Sequence, residues 1–377
     1  MLFSRIVILV LVMTSAFCEG QKTVAFYAAR VEGLKPWDPD SIKTGINGSE
    51  EAVIYMAQKL ANLGYKVTVL GDPPKDSPHS KESANPRFIA LEDKNLAYTD
   101  VAISCRMPRL GPLLKNWAKK VYLWPQDVCF EKLPVAEINA FDEVFWLSQW
   151  QRQQWASVNP GFSKFKQIHG NAIIPEQVLP VEIRKNPYSC IYGSNYGRGL
   201  KTLLDIWPQV KKEFPKATLD IYYGWKHWGT LTESQVQLMK AQIKNLASLD
   251  VREHGSVGHD TLQKAYAEAS FWTYPCDQAE TFCITAIRAQ LAGAIPVILV
   301  NSALAETVRH GYKCYKKEEY LDTLLTAMRD VKKVSLEQRK EMGKFVLEEY
   351  TWDKFAVQWK ELFDKPSRNV VKLSFTP

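Results

Sequence analysis

The sequence predicts an α/β protein made of two Rossmann-like, doubly wound domains. Three observations carry this. The chain has 377 residues, enough for two domains of ordinary size. In both halves short apolar runs alternate with amphipathic stretches of helical period, the pattern of strand–helix–strand units in parallel sheets. A polar, proline-bounded connector at 180–187 separates the halves. The expected divisions are a leader over 1–20, a first domain over 21–182, a second over 183–350, and a C-terminal helix and tail over 351–377.

The clearest unit is 269–300. Phe271, Trp272 and Tyr274 form an aromatic strand, which Pro275 stops because proline cannot donate to a ladder. A polar loop, CDQAE, leads to a predicted helix over 281–291, with Gly293 as its cap and a buried strand from Pro296 onward. Glu280 therefore stands at a strand's carboxyl end, where such sheets bind ligands. The free N–H groups around Thr281, Phe282 and Cys283 are expected to head the helix and to suit an anion. A carboxylate there either meets a ligand or caps the helix.

Composition narrows the class. Apolar residues make up 46% and charged residues 24%, as in globular domains. The net charge of +7, from 48 basic and 41 acidic residues, is mild. It suits an anionic substrate or peripheral contact with a membrane, and requires neither. No arginine stripe or nucleic-acid motif is present, so no nucleic acid is expected. Seven scattered cysteines without a CxxC pair offer neither zinc spacing nor a disulfide framework, and read as reduced thiols. The 12 tryptophans lie mostly in apolar runs and read as core. At the N-terminus Arg5 precedes an apolar run over 6–13 and small residues at 14–16, which looks like a signal peptide. It suggests the secretory pathway or membrane anchoring, with a cytoplasmic location as the alternative. The sequon Asn47-Gly48-Ser49 argues against export, because a glycan there would block a ligand loop.

In the first half, strands are expected at 23–28, 67–70, 100–104, 120–124 and 143–147, with a helix from about 50 to 63. Ser49 is the candidate N-cap, and Val53, Met56, Ala57 and Leu60 share the buried face. Gly45, Gly48 and Ser49 thus lie where a loop feeds a helix start, a setting for phosphate or sugar. Cys105-Arg106, Asp127 and Ser148 follow three successive strands. Asp127 is the only acid so placed, and serves there as a ligand or as a turn cap.

The second half opens with a strand at 189–192 and the loop Gly193-Ser194-Asn195-Tyr196-Gly197-Arg198-Gly199. Arginine's planar fork suits a diphosphate; the alternative is a surface arginine. Strands at 218–223 and 250–254 and helices at 232–249 and 260–269 complete the unit. Val257 lies in the turn after the second of these strands. An aromatic-faced helix is expected over 348–363.

Taken together, these segments resemble a retaining GT-B glycosyltransferase of the group 1 type, which uses nucleotide-sugar donors. The segments are NGSEEAVIYMAQKLANLGYKVTVLGD, FDEVFWLSQWQ, NAIIPE, YGSNYGRGLKTLLDIWPQVKKEFPKATLDIYYG and YPCDQAETFCITAIRAQLAGAIPVI. The resemblance implies two domains facing a central cleft, with the donor in the second and the acceptor in the first. It implies that Gly48 and Ser49 line the cleft, that Arg198 meets the diphosphate, and that Val257 lies near the base; Gly193, Ser194 and Asn195 of the same loop are expected to bind the donor. Glu280 matches the first signature glutamate, which meets the transferred sugar, and the N–H groups of Thr281, Phe282 and Cys283 would hold its oxygens. Three positions depart from the pattern. The second signature glutamate falls at Arg288, which cannot accept hydrogen bonds from ribose hydroxyls. Ser194 replaces a basic group, and Gln126 a frequent histidine before Asp127.

The expected function is transfer of a sugar from a nucleotide sugar to a glycan, lipid or protein hydroxyl, in glycan biosynthesis; the resemblance implies that the anomeric configuration is conserved. Glu280, Arg198 and Asp127 would be the catalytic residues. No cofactor and no metal is expected, since fixed cations can hold the diphosphate. The alternative is a GT-B protein that binds nucleotide or glycan without turnover, which Arg288 favours.

Overall fold

The computed structural model describes residues 20–28, 35–93, 97–177, 179–225 and 231–365. The signal-like segment lies outside them, save for Gly20. Six strands form the first sheet: β1 Thr23–Ala28, β2 Lys66–Gly71, β3 Arg87–Ala90, β4 Thr99–Cys105, β5 Ala118–Trp124 and β6 Glu143–Val144. Six form the second: β7 Ser189–Gly193, β8 Thr218–Tyr222, β9 Val251–Glu253, β10 Phe271–Tyr274, β11 Ile295–Leu299 and β12 Tyr312–Cys314. The orders are β3-β2-β1-β4-β5-β6 and β12-β11-β10-β7-β8-β9, every pair parallel. Each sheet therefore reverses direction beside its own first strand, between β1 and β4 and between β7 and β10. These reversals place two ligand crevices at carboxyl strand ends.

Helices cover the sheets. The main ones are α1 Gly48–Asn62, α2 Gln149–Val158, α3 Leu200–Glu213, α4 Glu233–Asn245, α5 His259–Glu268, α6 Ile284–Leu291, α7 Tyr320–Asp330, α8 Leu336–Glu349 and α9 Trp352–Asp364. β1, β5, β10 and β11 are almost wholly buried, which explains their unbroken apolar runs. Eight tryptophans are buried, so most serve the core as expected. The six cysteines among the described residues are unpaired, five of them buried. No helix among the described residues is long and apolar enough to cross a membrane.

Several boundaries differ from expectation. The N-cap of α1 is Asn47, not Ser49, whose hydroxyl is used elsewhere. The predicted helix over 348–363 is broken: α8 ends at Glu349 and Thr351 caps α9, accepting from the Lys354 N–H. The strand expected over 143–147 ends at Val144, after which Trp146 bridges to Ile168. The helix over 232–249 ends at Asn245 and gives way to a short 3-10 turn. The edge strands β3 and β12 are short and lack a clear pattern.

The C-terminal α9 returns to the first sheet. Trp359 stacks on Phe145 at 4.1 Å between ring centres and meets Trp124 edge-on at 4.9 Å. Lys120 donates to the carbonyls of Leu362 and Phe363 at the helix's end, where a cation also complements the dipole. His169 lies in this aromatic cluster, 3% exposed, with both ring nitrogens unpartnered. Burial therefore lowers its pKa from 6.5 to about 4. The unfolded chain binds this proton below pH 6.5 and the folded chain refuses it until about 4, so stability falls as pH falls through that window. The slope approaches about 1.4 kcal/mol per pH unit. We predict that His169→Phe flattens the pH dependence of the urea midpoint between pH 6.5 and 4. An unchanged slope would remove His169 as its source.

Candidate active site

At the carboxyl ends of β7 and β10 the structure brings Arg198 and Glu280 together, Nη1 to Oε1 at 2.7 Å. Glu280 is 7% exposed and also accepts a short hydrogen bond from Tyr274. Burial opposes the Arg198 charge, but Glu280, with Tyr274 and Cys276, more than compensates, so the guanidinium pKa lies above its ordinary value. The loop that carries Arg198 is fixed from beneath. The buried Tyr192 hydroxyl reaches the carbonyls of Asn195 and Arg198 at 2.7 and 3.0 Å. Asn195 accepts from the Gly197 N–H, and Ser194 bonds Tyr274 at 3.1 Å. Gly199 has φ +96°, and a Cβ there would lie 2.1 Å from the Pro275 carbonyl oxygen. Only glycine lets the Arg198 loop approach the Glu280 loop this closely.

The first domain supplies an opposing group. Arg106, at the end of β4, has φ 68°, a costly conformation for a non-glycine residue. Its side chain grips Asp127 through two bonds of 2.7 and 3.1 Å, donates to Ser49 at 3.1 Å and lies 3.5 Å from Glu50. Burial pushes the Glu50 carboxyl up, with Arg106 partly opposing. Asp127 is thus half of a bidentate ion pair. The sequence reading missed Arg106 and Glu50 as site residues. The available signal was that two adjacent strands end in Arg106 and Asp127.

The predicted anion site behind Glu280 needs correction. α6 begins at Ile284, not at 281, because Cys283 takes a left-handed backbone with φ 74°. Thr281, Phe282 and Cys283 precede the helix, and two of them bind the other domain. The Thr281 hydroxyl donates to the Gln126 carbonyl at 3.0 Å, and its own carbonyl accepts from Ser148 at 2.8 Å. Phe282 is buried at the interface, packed edge-on to Tyr350 and close against Gly170. The leading N–H groups of α6 are those of Ile284 and Thr285. Gly48 heads α1 directly opposite: a Cβ there would lie 3.0 Å from the Ile284 side chain. The starts of α1 and α6 are therefore apposed across the domain boundary, with the Ile284 side chain between them.

Beside them lies an interdomain cavity. Gly45, Ile46 and Asn47 line it from the first domain, and Gly193, Tyr223, Val257, His259 and Arg288 from the second. Arg288 is not alone there. It forms a short ion pair with Glu51 of α1, which is 1% exposed. His259 lies 3.5 Å from the same carboxylate, and its other ring nitrogen meets Tyr55 at 3.2 Å. Burial raises Glu51 to about 6 against the pull of Arg288. Burial, then Arg288, lowers His259 to about 2. His259 is neutral at pH 7, so the ionic contact is between Glu51 and Arg288.

Comparison with known proteins bears on this arrangement. Sucrose-phosphate synthase from Thermosynechococcus elongatus is similar over 91% of this chain and 98% of its own, with a TM-score of 0.68 at 14% identity. A structure of HepE from Anabaena in complex with UDP gives 0.68 at 14%, over 91% and 99%. WaaG, a glycosyltransferase involved in lipopolysaccharide biosynthesis, gives 0.63 at 14%, over 91% and 100%. The fold is GT-B. Within this GT-B chain, residues 188–334 match the family model described as Glycosyl transferases group 1, which marks the second domain as a glycosyltransferase domain. No curated protein matches the chain in sequence.

The Arg198 loop gives a direct test of the local geometry. Gly199→Ala is expected to lose about 2 kcal/mol or more, from positive-φ strain and a backbone clash. Urea denaturation reads this as a lower midpoint. A neutral result would mean that the two loops are not so closely apposed.

Proposed function

We propose that the protein transfers a sugar from a nucleotide-sugar donor to a hydroxyl acceptor, with retention of anomeric configuration. The observation that carries this is the Arg198–Glu280 pair, with Glu280 buried and Arg198 half-buried, at the carboxyl ends of β7 and β10. When a glycosyl bond to a diphosphate breaks, negative charge builds on the leaving oxygen while the sugar becomes oxocarbenium-like. A fixed guanidinium and oriented N–H groups in a desolvated cleft stabilise that charge without reorganising. In this reading the unpaired edge of Arg198 takes the diphosphate, together with the leading N–H groups of α6. Gly193, Ser194 and Asn195 shape the loop under it, and Val257 lies by the base. Glu280, anchored by Tyr274, orients the sugar, which is a proximity effect. Retention rests on the family resemblance alone.

The acceptor enters from the first domain, past Ser49, Arg106 and Asp127. Arg106 holds Asp127 in one orientation, so the carboxylate can receive a hydroxyl hydrogen bond through the oxygen edge that remains exposed. The acceptor is a glycan, lipid or protein hydroxyl. Structures of HepE hold UDP-glucose and UDP, which makes UDP sugars the first donors to try.

The test has two parts. A bound donor raises stability by mass action, about 2.7 kcal/mol at a hundred times Kd, so a thermal-shift panel of nucleotide sugars identifies it. With that donor, Arg198→Ala is expected to cut transfer at least about a hundredfold, measured as nucleotide release in the presence of acceptor. Full activity in the variant would remove Arg198 from the mechanism. Donor binding with no release from any acceptor would favour a protein that binds without turnover.

A further inference from the structure

Arg288 and Glu51 are 237 positions apart and belong to different domains, yet they form a mostly buried ion pair at the cavity wall. Glu51 is enclosed by Arg288, His259 and Tyr55, and its carboxylate does not line the cavity. Arg288 does line it, and uses only Nη2 on Glu51. Its Nε and Nη1 donate to nothing among the described residues. A guanidinium pinned along one edge offers the rest of its rigid fork to oxygen acceptors.

We propose that Glu51 is a positioning residue for the nucleotide: from the first domain it holds Arg288 so that the free donors of that guanidinium meet oxygens of the bound nucleotide, and the pocket is complete only when the domains are closed. This rests on the nucleotide-sugar reading. The same pair is a clamp on closure, because parting the domains gives up an attraction made at low dielectric for two separately hydrated charges. The ligand chemistry is a set of hydrogen-bond-accepting oxygens, which the ribose diol and the α-phosphate both provide.

The test combines calorimetry and small-angle X-ray scattering on the full chain. UDP, ADP and GDP are titrated into wild type, Glu51→Gln, Arg288→Gln and the double variant. With the nucleotide that binds best, each single variant is expected to weaken affinity about tenfold or more, and the double variant to be little worse than either. In the free protein both single variants should enlarge the radius of gyration, and the charge swap Glu51→Arg with Arg288→Glu should restore it. Arg288→Glu alone should lower Tm, since it places two carboxylates together. Repeating the titration with the matching nucleoside and 2′-deoxy diphosphate locates the contact. A loss seen with the nucleoside and absent for the 2′-deoxy compound assigns it to the ribose, and a loss seen only with diphosphates to the phosphate. Wild-type affinity in Glu51→Gln, or losses that add, would overturn the positioning role. Unchanged scattering in Glu51→Gln would overturn the clamp. If wild type binds no nucleotide of the full donor panel, the nucleotide-sugar reading itself fails, and scattering still decides the clamp.

Discussion

The site depends on one contact, the ion pair between the half-buried Arg198 and the buried Glu280. Each charge alone would be costly where it sits, and each makes the other tolerable. The pair forms because two loops from strands flanking the switch point come together, and several features serve that approach. Gly199 removes the side chain that would block it. The Tyr192 hydroxyl ties down the Arg198 loop by its carbonyls. Tyr274 donates to Glu280 from below, and the backbone at Glu280 is held by the Ala303 N–H at 3.1 Å. A guanidinium held so firmly is what the proposed transfer asks for, since it could meet a departing diphosphate without rearranging.

The second requirement is that the opposing domain be present. Polar contacts cross the boundary at several points. Glu306 of the second domain accepts from the first two N–H groups of α2, at 2.8 and 2.7 Å, and so caps a helix of the other domain. Ser148, the N-cap of that helix, also donates to the Thr281 carbonyl, one residue from Glu280. The loop that carries Glu280 is thus tied to the first domain directly. Contacts made by caps and hydroxyls are small individually and rearrange at little cost, which suits surfaces that must part to release product.

Much of the architecture was legible because buried parallel strands are continuous apolar runs, and helices such as α3 carry their apolar face at regular spacing. The juxtaposition of residues 198 and 280 was legible too, since both follow strands at a predicted crevice. What failed was local. Thr281, Phe282 and Cys283 fit a helix by spacing, but their bonds run to the other domain and Cys283 turns left-handed. The run Phe145-Trp146-Leu147 looks like strand, yet its residues fill the core after the strand has ended. The Glu51–Arg288 pair was invisible for another reason. Read alone, Glu51 is a first-turn acid suited to the helix dipole and Arg288 a departure from a motif. Only the tertiary arrangement makes them partners.

The central claim is that the cleft recognises a diphosphate through Arg198. Isothermal titration with a nucleoside, its monophosphate and its diphosphate, into wild type and Arg198→Ala, tests it most directly. The account predicts that wild type prefers the diphosphate at least about tenfold, the order expected for charge-assisted hydrogen bonds, and that the preference disappears in the variant. Equal affinities in wild type, or a preference that survives loss of the guanidinium, would contradict it.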